Sequence, residues 1–106
     1  MKKVECIIRQ EKLKEVIDAL RLAGVAGATV TEVKGFGKGA VRPDNFLFVP
    51  KTKIEIYATD DQVEDIIQAI IRCCKEKISG SGKIAVLPME ECVRIRTEER
   101  GEKAIL

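Results

Sequence analysis

The sequence contains no histidine and no tryptophan, and none of its apolar runs approaches the roughly 20 residues of a membrane-spanning helix. Without histidine, most acid–base and catalytic-triad chemistry lacks its usual side chain, which counts against an enzyme. The chain begins with a strand-like segment and not with a signal peptide. We therefore expect a cytoplasmic protein that does not insert into a membrane.

Cysteine is present, but its spacing supports neither a disulfide framework nor a zinc site. Cys6, Cys73, Cys74 and Cys92 form no C-x-x-C pair, and no histidine can complete a mixed metal site. We interpret all four as small buried hydrophobic residues of a reducing compartment and predict no metal site.

The charge of the chain is small and evenly spread. Its 19 basic and 17 acidic residues give a net charge of +2, with no block of one sign. Nucleic-acid binding usually needs a concentrated basic face, so we do not expect it here. A chain of 106 residues forms one domain, 1–106, whose stability can draw on contacts between subunits.

The pattern of apolar residues predicts six elements. Alternating β-branched segments predict strands over 4–9, 28–34, 51–59 and 83–87. A one-sided apolar stripe predicts a helix over 11–23, and a second helix extends from a capping box at Asp61 and Glu64 to about Lys77. The order βαββαβ indicates an α+β, ferredoxin-like sandwich with both helices on one face of a four-stranded antiparallel sheet.

The other face of this sheet would remain uncovered. It should carry alternate strand residues such as Glu5, Ile7, Glu55 and Tyr57. Because a soluble monomer rarely exposes a half-apolar sheet face, the pattern predicts self-association, and a closed symmetric ring fits it.

Three short motifs could bind anions. The Gly80-Ser81-Gly82-Lys83 turn opens into a strand, where backbone N–H groups and one lysine could surround a phosphate. Arg94-Ile95-Arg96, if extended, sends two guanidinium groups to one side, and Gly35-Phe36-Gly37-Lys38 follows the second strand. Taken singly, each motif could equally be a simple connection or a solvated edge strand.

Together, in this order and on these elements, the motifs resemble the PII signal-transduction family, small trimeric sensors of adenine nucleotides. The resemblance extends from Met1 to Ile105, with 37–50 as a shortened T-loop, 76–83 as the phosphate-binding B-loop and 94–106 as the C-terminal loop. It implies a homotrimer that binds ATP or ADP in the cleft between subunits. The residues that would hold the nucleotide are Ile7, Thr29, Gly35, Gly37, Lys38, Glu55, Tyr57, Gly80, Ser81, Gly82, Lys83, Arg94 and Arg96.

Some of these positions differ from the family pattern. Lys38 stands where the family usually has arginine, which keeps the charge and loses the bidentate fork. Ser81 replaces an aspartate, and Tyr57 is larger than the usual aliphatic residue. Glu76 would place a carboxylate near the phosphates and weaken triphosphate binding unless a lysine neutralises it.

The long loop differs most. It contains no tyrosine, so we do not expect control by uridylylation. Gly39 stands where the family has glutamine, so we do not expect the family's 2-oxoglutarate site, although Lys51 matches a lysine that contacts 2-oxoglutarate there. Whether Mg²⁺ accompanies the phosphates stays open. The apolar run 46–49 either docks a partner or folds back onto the body of the protein.

The resemblance implies a regulator that controls a transporter or metabolic enzyme by protein–protein interaction, in nitrogen metabolism. The shortened loop suggests a partner other than the ammonium channel that the full-length loop plugs. Three alternatives remain: a sensor of carbon or another metabolite, a slow ATPase in which Glu55 or Glu76 polarises water, and a structural or metal-handling trimer similar to the CutA proteins.

Overall fold

The computed structural model describes residues 1–37, 48–77 and 80–106. Each of the first two α-helices follows a one-turn 3-10 helix, formed by Gln10–Lys12 and Asp60–Gln62. The six predicted elements are present in the predicted order, and a short C-terminal helix follows them. The bounds are β1 Lys2–Ile8, α1 Leu13–Leu22, β2 Thr29–Gly35, β3 Val49–Ala58, α2 Val63–Cys74, β4 Lys83–Pro88 and α3 Glu102–Ile105.

The four strands form one antiparallel sheet in the order β2-β3-β1-β4. This is the strand order of the ferredoxin-like arrangement that the sequence predicts. The register places Glu5 on β1 opposite Glu55 on β3 and opposite Ala85 on β4. Thr29 on β2 lies opposite Glu55 from the other side. Strands β2 and β4 are therefore the two edges of the sheet.

The core lies between one sheet face and helices α1 and α2. Strand residues of one parity point into it, and each helix contributes the apolar stripe seen in its sequence. Every member is nearly or completely removed from solvent: Val4, Cys6, Ile8, Val16, Leu20, Ile54, Ile56, Ala58, Ile66, Ile70 and Cys74.

The helix ends agree with the sequence at α1 and differ at α2. Gly24 follows α1 with φ +86°, the left-handed conformation that commonly terminates a helix. At α2 the expected capping box is wrong by two residues, because Thr59 and Gln62 form it instead. The expected end near Lys77 is also wrong. Helix α2 stops at Cys74, and the next residue, Lys75, takes an extended conformation with ψ 121°.

The uncovered face carries the residues that the alternation predicts. At its centre Lys3, Glu5, Lys53 and Glu55 form four ion pairs, which we call the central charge cluster. These four side chains are only about a quarter to a third exposed. Apolar side chains such as Ile7 and Tyr57 flank the cluster.

All four cysteines are free thiols. Cys6 and Cys74 are buried as expected, whereas Cys73 and Cys92 are half-buried. In the described part of the chain, no cluster of metal-ligating side chains occurs. Over the same residues, no helix has the length and apolar character needed to cross a membrane.

Candidate functional site

The glycine turn before β4 packs tightly against the end of β1. Gly80 and Gly82 take φ values of +93° and +115°, which side-chain-bearing residues rarely adopt. A Cβ atom on Gly82 would lie 2.1 Å from the carbonyl oxygen of Ile7. The turn can therefore approach the sheet this closely only with glycine at position 82. It also brings the backbone of Ile7 beside Gly82.

Two cationic side chains converge on this turn. The Arg9 Nε atom and the Lys51 Nζ atom donate hydrogen bonds to the Gly80 carbonyl oxygen, at 3.2 and 2.9 Å. Arg9 follows β1 directly, and Lys51 lies near the start of β3. Sequence reasoning missed Arg9, since the contact joins residues 71 positions apart and no local motif signals it.

A second feature of the uncovered face, away from the glycine turn, is a cavity of about 380 Å³. Four of the proposed nucleotide-binding residues line it, namely Thr29, Glu55, Tyr57 and Arg94. The pairing of β2 with β3 brings Thr29 beside Glu55, and the C-terminal segment closes the cavity with residues 104–106. The structure thus assembles this part of the predicted set within one chain.

Arg94 is held in place by a side chain and a backbone carbonyl of the C-terminal segment. Its Nη1 atom lies 2.6 Å from Glu99 Oε1, and its Nη2 atom donates to the Ala104 carbonyl oxygen at 3.4 Å. The Thr97 hydroxyl donates to the same Glu99 oxygen at 2.8 Å. These contacts fix the guanidinium group at the wall of the cavity.

Arg96 does not share this environment. Residues 95–97 form a turn, so the expectation of an extended Arg94-Ile95-Arg96 segment is wrong. Hydrogen bonds from Arg94 N to Glu99 O and from Glu98 N to Arg94 O close that turn. Arg96 is exposed and makes no hydrogen bond or ion pair with the described residues.

Glu55 connects the cavity with the central charge cluster. Its carboxylate lies 3.1 Å from Lys53 Nζ and 3.7 Å from Lys3 Nζ. Hydrogen bonding from Lys53 lowers the pKa of Glu55 below its ordinary value of 4.5, and the charge of Lys3 adds to the effect. The same contact with Glu55 raises the pKa of Lys53. The carboxylate at the cavity wall is therefore ionised at neutral pH and acts only as a hydrogen-bond acceptor.

Glu76, the acidic residue expected near the phosphates, has a cationic partner. Its Oε1 atom lies 3.7 Å from Lys12 Nζ, and both side chains are about a quarter to a third exposed. An unpaired carboxylate here would repel a triphosphate. Because Lys12 pairs with Glu76, this repulsion is reduced.

The structure does not bring the glycine turn and the Arg94 cavity together within one chain. Lys83, at the start of β4, lies three strands across and two residues along from Thr29. With strands roughly 4.8 Å apart and a rise of 3.3 Å per residue, their Cα atoms are about 16 Å apart. Gly35, at the end of β2 opposite Val49, lies toward the same end of the sheet as the glycine turn.

The base of the long loop is described only at its two ends. The rings of Phe36 and Phe48 lie in a tilted contact there, with centroids 6.0 Å apart and an interplanar angle of 47°. Both remain exposed, Phe36 by 81% and Phe48 by 48%. Lys38 and Gly39, together with the rest of the segment up to Leu47, lie outside the described residues.

Comparison with known proteins finds relatives along almost the whole chain. The family model for "Nitrogen regulatory protein P-II" matches residues 1–99. A nitrogen regulatory protein P-II from Azospirillum brasilense is 46% identical over 112 aligned residues, which cover 99% of this chain and 100% of that protein. The corresponding protein from Cereibacter sphaeroides is 45% identical with the same coverage. Nitrogen regulatory protein P-II 2 from Methanothermobacter thermautotrophicus is 41% identical, over 99% of this chain and 97% of its own length. This chain therefore belongs to the nitrogen regulatory protein P-II family.

Proposed function

We propose that this protein is a homotrimer that binds ATP or ADP between its subunits and, through that binding, controls a transporter or metabolic enzyme by direct contact. Membership of the P-II family makes it a signal-transduction regulator in nitrogen metabolism.

The observation that carries the proposal is the division of the site into two halves. The glycine turn with Lys83 lies at one end of the sheet, and Thr29, in the wall of the cavity that Arg94 also lines, lies about 16 Å from Lys83 across it. This separation within one copy favours a site to which a second copy of the chain supplies the other half. Closed symmetry then repeats the same composite site at every interface.

Each half offers chemistry that suits one part of an adenine nucleotide. Backbone N–H groups of a glycine turn and the Lys83 ammonium group favour a polyphosphate. Tyr57 provides a flat wall for a purine ring, and the ionised Glu55 accepts a hydrogen bond from an exocyclic amino group. Arg94 adds a fixed cation for a phosphate oxygen. Any Mg²⁺ bound with the nucleotide would be held chiefly by phosphate oxygens.

The nucleotide would act on the partner through residues 37–50. A ligand shifts such a segment only to the extent that it binds the two states of the segment with different affinity. Lys38 belongs both to the proposed phosphate site and to the base of the loop, so we assign it the coupling role. The exposed rings of Phe36 and Phe48 at the loop base offer an apolar contact for a partner.

Isothermal titration calorimetry of the purified protein tests the proposal, with ATP, ADP and AMP each measured with and without Mg²⁺ and 2-oxoglutarate. We expect ATP and ADP to bind, and binding that is indifferent to 2-oxoglutarate would identify a sensor of energy charge or another metabolite. Light scattering coupled to size exclusion should give three copies per particle.

The site assignment is tested by the double substitution Arg94→Ala and Arg96→Ala. We expect nucleotide binding to be lost while the trimer persists. Arg21→Ala with Arg72→Ala is the matched control, because it removes two exposed guanidinium groups from the helices and none from the site. Unchanged ATP affinity in the first double variant would contradict the site assignment, and a particle of one copy would contradict the composite site.

A further inference from the structure

We propose that Lys51 and Arg9 are positioning residues for phosphate binding, because together they fix the orientation of the peptide group between Gly80 and Ser81. The inference rests on the proposed function and goes beyond it. It gives Lys51 a role other than contact with a 2-oxo acid, and it gives a role to Arg9, which the motifs did not single out.

The contact has a defined direction. Lys51 Nζ donates to the Gly80 carbonyl oxygen at 2.9 Å, and Arg9 Nε donates to the same oxygen at 3.2 Å. In a planar trans peptide the carbonyl group of one residue and the N–H group of the next point in opposite directions. Holding the Gly80 oxygen toward Arg9 and Lys51 therefore directs the Ser81 N–H group to the other side of the turn.

A glycine turn needs such a constraint more than an ordinary turn does. Glycine adopts positive and negative φ values at similar cost, so the peptide groups of a turn with two glycines can rotate between orientations. An anion binds well only if the N–H groups converge on it beforehand, since ordering them on binding costs free energy. Charge-assisted hydrogen bonds, roughly twice as strong as neutral ones, can hold one orientation.

The residue type at position 80 supports this reading. A Cβ atom at Gly80 would lie 3.1 Å from Arg9 Nη2 and 3.5 Å from Lys51 Nζ. The φ of +93° favours glycine at position 80, and the contact with Arg9 Nη2 is tight, whereas the distance to Lys51 Nζ is an ordinary van der Waals contact. Three residues that are distant in sequence, Arg9, Lys51 and Gly80, thus together determine the conformation of this turn.

The test compares Lys51→Met with Lys34→Met. Lys34 is an exposed lysine on β2, opposite Pro50 at the same end of the sheet, so its removal subtracts the same charge without touching Gly80. We expect Lys51→Met to weaken ATP binding by about tenfold or more, the loss that one charge-assisted hydrogen bond represents. Lys34→Met should weaken it by less than about threefold, as expected of a distant exposed charge. Adenosine affinity should be unchanged in both variants. Lys51→Arg, which keeps a cationic donor, should restore most of the ATP affinity.

A second measurement reports on the orientation of the peptide without any nucleotide. The carbonyl ¹³C resonance of Gly80 should shift upfield in Lys51→Met and in Arg9→Met relative to the wild type, because a hydrogen-bond donor is lost. It should stay in place in Lys34→Met. An unchanged resonance in Lys51→Met would overturn the inference.

The outcomes separate the inference from the proposed function. Equal losses of ATP affinity in Lys51→Met and Lys34→Met would mean that the loss comes from removing a positive charge and not from the hydrogen bond to Gly80. That result would overturn the inference and leave the proposed function intact. An equal loss of adenosine affinity in Lys51→Met would point to general disruption of the site, with the same consequence. A wild-type protein that binds no ATP would overturn the proposed function, and the inference with it.

Discussion

Glu5 and Glu55 stand directly opposite each other on β1 and β3, and Lys3 and Lys53 each bridge both carboxylates. Two like charges facing each other across antiparallel strands would by themselves destabilise the sheet. Four lysine–glutamate ion pairs, with N–O distances of 3.1–3.7 Å, turn this repulsion between the strands into a net attraction. The cluster can therefore occupy the middle of the uncovered face, and its two lysines and two glutamates carry no net charge there.

The first prediction concerns the pH dependence of stability at this cluster. The pKa of Glu55 is lower in the folded protein than its ordinary value of 4.5, so the ionised form stabilises the fold. This stabilisation is fully present above pH 4.5 and is lost as the pH falls through the lowered pKa. Glu55→Gln should therefore be less stable than the wild type at pH 7, and the difference should shrink below pH 4.5. Urea unfolding at a series of pH values measures it.

Glu32→Gln is the control for this experiment. Glu32 is an exposed carboxylate on the edge strand β2 and forms no ion pair with the described residues. The free energy of unfolding of Glu32→Gln should differ little from that of the wild type at every pH. Parallel acid profiles for wild type and Glu55→Gln would show that the lysines do not stabilise the ionised Glu55.

The second prediction concerns the contact between Gly82 and the end of β1. Gly82→Ala should destabilise the protein, because its φ is +115° and the new Cβ atom would meet the Ile7 carbonyl oxygen. Strain of this kind costs on the order of 1–3 kcal/mol. Gly27→Ala is the matched control, since a Cβ atom there would meet no atom within 4 Å. Denaturant midpoints at a fixed protein concentration measure both variants, and equal midpoints would contradict the packing.

The third prediction concerns the start of α2. The Thr59 hydroxyl and the Gln62 side chain form a reciprocal capping box, in which Gln62 Oε1 accepts from Thr59 N at 3.0 Å. Thr59→Ala should lower the free energy of unfolding by about 1 kcal/mol, whereas Thr59→Ser keeps the hydroxyl and should lower it much less. Asp61→Ala tests the cap that the sequence suggested first. A larger loss for Asp61→Ala than for Thr59→Ala would reverse the assignment.

The fold follows from the sequence because its signals are local and repeated. Alternation along each strand gave four strands whose ends are correct to within two residues, and it also separated the helix-covered face from the uncovered one. Alternation placed Glu55 and Tyr57 on the uncovered face, whereas only the family resemblance grouped Thr29 with them. The pairing of Thr29 with Glu55 across β2 and β3 is what brings them to one wall. The capping box was misplaced because Thr59-x-x-Gln62 and Asp61-x-x-Glu64 both satisfy the same pattern.

The parts that the sequence did not predict depend on contacts between distant residues or on unusual backbone. The hydrogen bonds from Arg9 and Lys51 to the Gly80 carbonyl oxygen join three distant positions, and no local sequence pattern predicts that these residues meet. The turn after Arg94 places Glu98 at φ +60°, a conformation that its residue type does not favour. A bridge between Val93 and Arg100 and the pairing of Arg94 with Glu99 stabilise that turn from outside. An extended segment was the natural expectation from Arg-Ile-Arg alone.

The fourth prediction concerns the thiols and uses them to follow the opening of the core. Burial, with a further contribution from Cys74, raises the pKa of Cys6 from 9.0 to about 12, and Cys6 is only 1% exposed. Burial also raises the pKa of Cys74. Since the thiolate is the reactive form, a disulfide reagent at pH 8 should label Cys73 and Cys92 rapidly and should label Cys6 and Cys74 only after the protein opens.

Mass spectrometry of the labelled protein over time measures this prediction. Replacing Cys73 and Cys92 by serine should remove the rapid phase and leave the slow one. Because the slow phase reports the fraction of molecules in which the core is open, Thr59→Ala should speed it about fivefold, as a loss of about 1 kcal/mol requires. Rapid labelling of Cys6 in the folded protein would mean that β1 is accessible from the helix side, which would contradict the packing of α1 and α2 over the sheet.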